Sequence, residues 1–152
     1  MTKEEKYEDA YLQIVSLVAD ESDQIANMAN ISSLLHEQFG FWWTGFYRVE
    51  GDDELVLGPF QGPIACTRIK KGRGVCGTAW ETGTTQVVPD VELFPGHIAC
   101  SSESKSEIVV PLHSQDCRVI GVLDIDSAEL NTFDEIDRHW LEKICCQVFS
   151  SQ

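Results

Sequence analysis

The sequence predicts an α+β fold: a central, mainly antiparallel sheet with helices packed on one face, and loops with a short helix covering a pocket on the other. Three observations carry this expectation. Helical periodicity is confined to the two ends of the chain and one short central stretch. The strand-like runs between them are joined by connections too short for the crossover helices that parallel pairing needs. The long central segments are then left to cover the sheet face opposite the helices. At 152 residues with 43% apolar content, the chain fits one domain spanning 1–152, burying roughly two thirds of its unfolded surface.

Residues 4–19 place Tyr7, Tyr11, Ile14, Val15 and Val18 on one stripe with acids opposite, which is an amphipathic helix. Asp20 to Asp23 is a polar break that caps a second helix from about Gln24 to Gln38, with Met28 filling a gap in its apolar face. Phe39-Gly40 stops it. Strand character runs from Trp42 to Val49, Gly51-Asp52-Asp53 turns the chain, and Glu54 to Phe60 returns as the hairpin partner. A third strand is expected over Ala65 to Ile69, followed by a flexible turn to Gly74 and a short helix from about Val75 to Glu81. Thr85 to Val88 is a brief strand. Pro89 to Ser104 reads as a long loop, and loops of that length are usually functional. Ser106 to His113 and Val119 to Ser127 carry the apolar runs of strands covered on both faces, joined by a turn over Ser114 to Arg118. Thr132 with Glu135 three residues on reads as a capping box for a last helix that buries Phe133, Ile136, Trp140, Ile144 and Val148.

The formal charge of −14, from 25 acids against 11 bases, argues against nucleic acid and anionic membranes as partners. The opening MTKEEKYEDAY is charged where a signal peptide would be apolar, and no run of about 18 apolar residues is present. A cytoplasmic, reducing setting is the expectation, in which stable disulfides are rare and transient ones are catalytic or sensing. Cys66, Cys76, Cys100, Cys117, Cys145 and Cys146 are therefore read as a mixture of working and incidental thiols. Their spacings match no compact zinc-ligand pattern and no CxxC occurs, so no metal is expected.

The chemistry gathers between Phe60 and Ser127. Asp124 and Asp126 alternate with Leu123 and Ile125, so both carboxylates share one face of a strand, and Glu107 opens the neighbouring apolar run. Acids on an inner face are costly unless something cationic or proton-demanding meets them. Such a pocket wants an ammonium group, and an aromatic wall from Trp42 or Trp43 and Tyr47 suits a methyl or thioether end. The rival readings are local: Asp126 capping the turn at Ser127, and Glu107 pairing with Lys105 or Arg118. Three thiols beside such a face read as redox chemistry. Cys100 lies late in the long loop, where a thiol reaches first a substrate and then a second thiol. Cys76 stands at a helix start, where unpaired N–H groups lower a thiol pKa. Cys66 lies on or beside a strand. Cys117, Cys145 and Cys146 are incidental by position, and His97 is a lone loop histidine.

Those residues carry a resemblance. FQGPIACTRIKKGRGVCGTAW, then DVELFPGHIACSSESKSEIVVPL and VIGVLDIDS, resemble the free methionine-(R)-sulfoxide reductases, which are single GAF domains. The likeness extends from about Tyr11 to Cys146; the turn at Ser114 to Arg118 departs from it by one added residue. It implies reduction of free L-methionine (R)-sulfoxide, with no bound cofactor and no metal. The family's three cysteines match Cys66, Cys76 and Cys100, with Cys100 the first choice as nucleophile, Cys76 its rival, and Cys66 or Cys76 resolving. Its pocket acids match Glu107, Asp124 and Asp126, and its pocket tryptophan matches Trp43. Glu107 or Asp124 is expected to donate the proton while the others bind the substrate ammonium.

The implied partners are free methionine sulfoxide and thioredoxin, the latter recharged from NADPH through thioredoxin reductase. A homodimer is compatible with a GAF domain. The alternative function is a non-catalytic GAF module that senses a small molecule or an oxidant. Such modules are usually joined to an output domain, and this sequence shows none.

Overall fold

Thr2 opens the first helix, α1 (Lys3–Val18): its hydroxyl accepts from the Glu5 N–H while the Glu5 carboxylate accepts from the Thr2 N–H. Residues 1–96 and 103–150 are described by the computed structural model, so His97 and Cys100 lie outside the described residues. Asp23 caps α2 (Gln24–Phe39) by accepting from the Ala26 N–H, and Gly40 ends it at φ 68°. A hairpin of β1 (Trp43–Glu50) and β2 (Glu54–Gln61) follows, then β3 (Arg68–Lys70), α3 (Gly74–Thr82) and β4 (Gln86–Val88). A single 3-10 turn, Val91–Leu93, precedes β5 (Ser106–His113), β6 (Val119–Ser127) and α4 (Glu135–Phe149).

The six strands form one sheet in the order β3-β2-β1-β6-β5-β4, every described pairing antiparallel. The short connections foretold this. Helices α1, α2 and α4 bury Tyr7, Met28, Leu35, Trp140 and Ile144 against Phe46, Ile108, Leu123 and Ile125 on one face. On the other face α3 brings Val75, Cys76, Ala79 and Trp80 against Trp43, Tyr47, Val109 and Val122. Strand alternation thus sends successive residues of β1, β5 and β6 into two separate cores. Among the described residues no helix is long and apolar enough to cross a membrane.

Two local expectations are corrected. The third strand begins at Arg68 rather than Ala65, because pairing with β2 is limited to Val56, Leu55 and Glu54. Cys66 therefore sits in the segment entering β3. The cap of α4 is Asp134 with Asp137, not Thr132 with Glu135: the Asp134 carboxylate accepts from the Ile136 and Asp137 N–H groups, and Asp137 accepts from the Asp134 N–H. The Thr132 hydroxyl is occupied elsewhere, donating to Ser127 Oγ at 2.6 Å. Ile136 consequently faces outward, 38% exposed.

Candidate active site

Register places the acids. Across β1 and β6, Trp43 faces Asp126 and Gly45 faces Asp124; across β6 and β5, Asp126 faces Glu107 and Asp124 faces Val109. Directly opposed residues point to the same side of a sheet. Trp43, Tyr47, Glu107, Asp124 and Asp126 therefore share the face that α3 covers, and all five line one pocket with Trp42 and Cys76.

The aromatic wall is held from both sides. Trp43 stacks at 5.1 Å from Phe60 and 6.0 Å from Tyr47, and its indole N–H donates to the Pro63 carbonyl at 3.0 Å. Two glycines make room for it. A Cβ at Gly45 would lie 2.8 Å from the Trp43 ring and 2.3 Å from Phe60 Cβ; one at Gly62, which has φ 128°, would lie 2.8 Å from the same ring. The Tyr47 hydroxyl donates to the Cys66 carbonyl at 2.9 Å.

Opposite the wall, Gly77 lets α3 sit tightly on the preceding turn, since a Cβ there would meet the Lys70 carbonyl at 2.6 Å. This seating delivers Cys76 to the acids. Donor atoms of Cys76, Glu107 and Asp124 all lie within 4.8 Å of one another, and all three residues are buried. Among the described residues no Lys or Arg forms an ion pair with Glu107, Asp124 or Asp126. Arg118, the expected alternative partner of Glu107, pairs with Asp116 instead. At the turn after β6 the Glu129 N–H donates to Ser127 Oγ at 3.1 Å, while Asp126 accepts from Ser104 Oγ at 3.3 Å.

Crowding of buried acids decides who keeps a proton. Burial first, then the charges of Asp124 and Asp126, push Glu107 well above the ordinary carboxylate range. Hydrogen bonds from Glu107 toward Asp124 and Asp126 raise Glu107 further and pull both partners back down. Burial raises Asp124, but bonds from Glu107 and the Cys76 thiol oppose it. Its Oδ1 is buried with no hydrogen-bond donor fixed on it. Asp126 is likewise pushed well above the ordinary range by burial and then by Asp124, though bonds from Glu107 and Ser104 oppose this and the residue is partly open to solvent. Every influence on Glu107 favours its proton, whereas hydrogen bonds oppose protonation of both aspartates. Glu107 is thus the first proton holder, and Asp124, the least raised, the member that best carries charge.

The Cys76 thiol corrects an expectation. Burial, then Asp124, Glu107 and Asp126, push it well above the usual thiol value, although it stands in the first turn of α3. The partial charge of a helix N-terminus, about half an elementary charge, loses to three acids and full desolvation. Cys76, Cys117, Cys145 and Cys146 are free thiols, whereas Cys66 is disulfide-bonded. Cys117 is exposed in its turn; Cys145 is buried and Cys146 exposed, so the two adjacent thiols face different sides of α4.

Three pocket residues had no clear signal in the sequence. Ser104 bonds Asp126 from the end of the long loop; two-residue spacing from Ser106 was its faint mark. Arg73 precedes α3, whose N-terminus has no side-chain cap, and lines the pocket as its cationic group. Ile64 stands 92% exposed at the pocket edge.

The GAF domain family model matches residues 28–148. GAF domain-containing protein A of Dictyostelium discoideum is 63% identical over 143 residues, covering 94% of this chain and 90% of that protein. The free methionine-R-sulfoxide reductase of Escherichia coli is 48% identical over 149 residues, covering 97% and 89%. Among solved structures, free methionine-R-sulfoxide reductase from Neisseria meningitidis in complex with its substrate matches with a TM-score of 0.95 at 56% identity, covering 97% of this chain and 89% of that one.

Proposed function

Because the chain belongs to the free methionine-R-sulfoxide reductase family of GAF-domain proteins, we propose that its pocket reduces free L-methionine (R)-sulfoxide to methionine. The observation that carries this reading is the convergence of Glu107, Asp124 and Asp126, unpaired with any described Lys or Arg, against a wall of Trp43 and Tyr47. The ammonium of free methionine sulfoxide supplies the countercharge the acids lack, and its methyl end suits the aromatic wall. A peptide nitrogen carries no such charge, so free amino acid is preferred.

Residue roles follow from chemistry. Cys100, assigned from the sequence motif, attacks as thiolate; the sulfoxide oxygen passes to its sulfur, one proton is taken up, and methionine leaves a sulfenic acid behind. Glu107, the proton holder, supplies that proton, while Asp124 and Asp126 hold the ammonium. The uncapped N-terminus of α3 and Arg73 suit the substrate carboxylate. Cys66 then condenses with the sulfenic acid, releasing water and forming a disulfide. Two facts favour Cys66 over Cys76 in that step: it is disulfide-bonded already, and Cys76 is a buried thiol whose ionisation is strongly opposed. A thioredoxin dithiol, recharged from NADPH through thioredoxin reductase, reopens the disulfide by exchange. The exposed free thiols Cys117 and Cys146 fit a reducing, cytoplasmic setting, and a homodimer is compatible with these roles.

An NADPH-coupled assay with thioredoxin and its reductase tests the reading. Free (R) sulfoxide, free (S) sulfoxide and N-acetylated (R) sulfoxide are compared for the native protein and Cys100→Ser. Turnover of the free (R) form alone, lost in the variant, is expected. No turnover with fully reduced thiols would overturn the activity, and turnover surviving Cys100→Ser would move the attack to Cys76.

A further inference from the structure

The sulfoxide chemistry leaves Cys76 without a step, yet α3 delivers its sulfur to two buried carboxylates. Donors come from three different elements: Cys76 from α3, Glu107 from β5 and Asp124 from β6. Their ligand atoms lie within 4.8 Å of one another, and Asp124 Oδ1 is buried without a fixed donor. No described Lys or Arg pairs with either acid. We propose that a thiophilic divalent cation of the zinc type binds the reduced protein through Cys76 Sγ and one oxygen each of Glu107 and Asp124, and in doing so blocks the pocket.

The geometry is close to what such an ion needs. Zinc–sulfur bonds of about 2.3 Å and zinc–oxygen bonds of about 2.0 Å put tetrahedral donors roughly 3.5 Å apart. Side-chain rotations of Glu107 and Cys76 close the remaining gap, and the pocket leaves a fourth position for water. One thiolate in the donor set selects zinc, cobalt or cadmium over magnesium and calcium, which prefer all-oxygen sites. The exchange is balanced without redox: the cation forms bonds to sulfur and to one oxygen of each acid, and the thiol proton and the proton held by Glu107 both leave to solvent. Two carboxylates and a thiolate then face a doubly charged ion, which removes the like-charge crowding. Competition with substrate rests on the reading above, because the ion takes the Asp124 oxygen assigned to the ammonium and the Glu107 oxygen assigned to the proton; cation binding itself does not.

The experiment uses cobalt(II) as a spectroscopic probe on reduced protein in which Cys66, Cys100, Cys117 and Cys146 are serine, leaving Cys76 as the pocket thiol. Expected are a saturable thiolate-to-cobalt charge-transfer band at one ion per chain, displacement of cobalt by zinc, and at least tenfold weaker apparent cobalt affinity in saturating methionine. Adding Cys76→Ser should abolish the band while circular dichroism and the melting temperature show a folded protein. A band that survives Cys76→Ser, or no saturable band in the folded parent, overturns the site. Unchanged cobalt affinity with methionine present overturns the shared-oxygen geometry. The spectrum requires no turnover, so a failed sulfoxide assay and a failed cation site are separate results.

Discussion

The Tyr47 hydroxyl donates to the backbone carbonyl of Cys66 at 2.9 Å, fixing the segment that carries this cysteine to the middle of β1. Burial, then Asp124, Cys76 and the other two acids, hold the phenol far above its ordinary pKa, so it stays a donor at any physiological pH. Together with the indole bond of Trp43 to Pro63, this pins both ends of a strap that runs along the pocket edge. The aromatic wall therefore does two jobs: it faces the substrate, and it holds the proposed resolving cysteine.

Tyr47→Phe separates those jobs, because the ring remains and only the bond to Cys66 goes. A hydrogen bond of this kind contributes about 1 kcal/mol, or roughly a fivefold change in the population of a positioned strap. Single-turnover methionine release should hold near the native rate, while disulfide formation slows several-fold and sulfenic acid accumulates. Rapid quench with a sulfenate-trapping reagent measures both. If methionine release slows as much as disulfide formation does, the anchoring role is wrong.

Glu107→Gln should lower turnover by about 10²–10⁴-fold, the usual worth of a general acid, and leave disulfide reduction by thioredoxin unchanged. The same change should stabilise the fold. Native Glu107 keeps its proton to higher pH than the unfolded chain does, since its folded pKa lies well above 4.5. The native state then binds more protons, and stability falls as pH rises from the ordinary carboxylate range toward the raised value. Gln carries no such penalty. Melting temperature against pH should slope downward for native protein above that range and less steeply for the variant. Equal slopes would place the proton elsewhere in the cluster.

Alternation in Leu123-Asp124-Ile125-Asp126 was enough to put two acids on one buried face, because period two is a property of every strand. That Glu107 joins them was expected from its place at the start of the neighbouring apolar run and from the family resemblance, and register supplies the physical reason by aligning it with Asp126. The ends of elements were less legible. Thr132 and Glu135 have the spacing of a capping box, but so do Asp134 and Asp137, and the second pair wins because Asp137 is also bonded from α1. Local spacing contains no information about that long-range partner. The Cys76 pKa departs from the sequence expectation for a related reason: a helix start is visible in sequence, whereas the depth of burial that outweighs it is not.

Gly45→Ala tests how the pocket tryptophan is seated. The added methyl would lie 2.3 Å from Phe60 Cβ and 2.9 Å from Phe60 Cα, so β2 backbone as well as a ring must move. Overpacking of this sort costs about 1–3 kcal/mol. Trp43, 2.8 Å from the same methyl, should tilt off the substrate. Urea unfolding should show the stability loss, and KM for the free (R) sulfoxide should rise more than kcat falls. A stable variant with native KM would mean that the wall tolerates displacement.

Asp137→Ala should do the reverse, costing stability and sparing chemistry. Asp137 is 1% exposed, accepts from Tyr7 Oη at 2.5 Å and from Lys3 Nζ at 2.7 Å, and caps α4 through the Asp134 N–H at 2.8 Å. Its loss strands the buried Tyr7 phenol, at about 1–3 kcal/mol, and opens the α4 cap, at about 1 kcal/mol more, while Lys3, 32% exposed, keeps Asp134 at 3.3 Å. Against the 5–15 kcal/mol typical of a domain, that is a large share. Tyr7→Phe removes the phenol alone and leaves the ion pair, so about 1–3 kcal/mol is expected. All of these groups lie among the helices, on the sheet face away from the acids, and the sheet between them is a rigid layer. KM and kcat of the folded variants should therefore match the native values well below the melting temperature. Denaturant titration and steady-state kinetics on the same preparations decide it: a shifted KM at full folding would show that the helix layer positions Glu107 or Asp124 through the sheet.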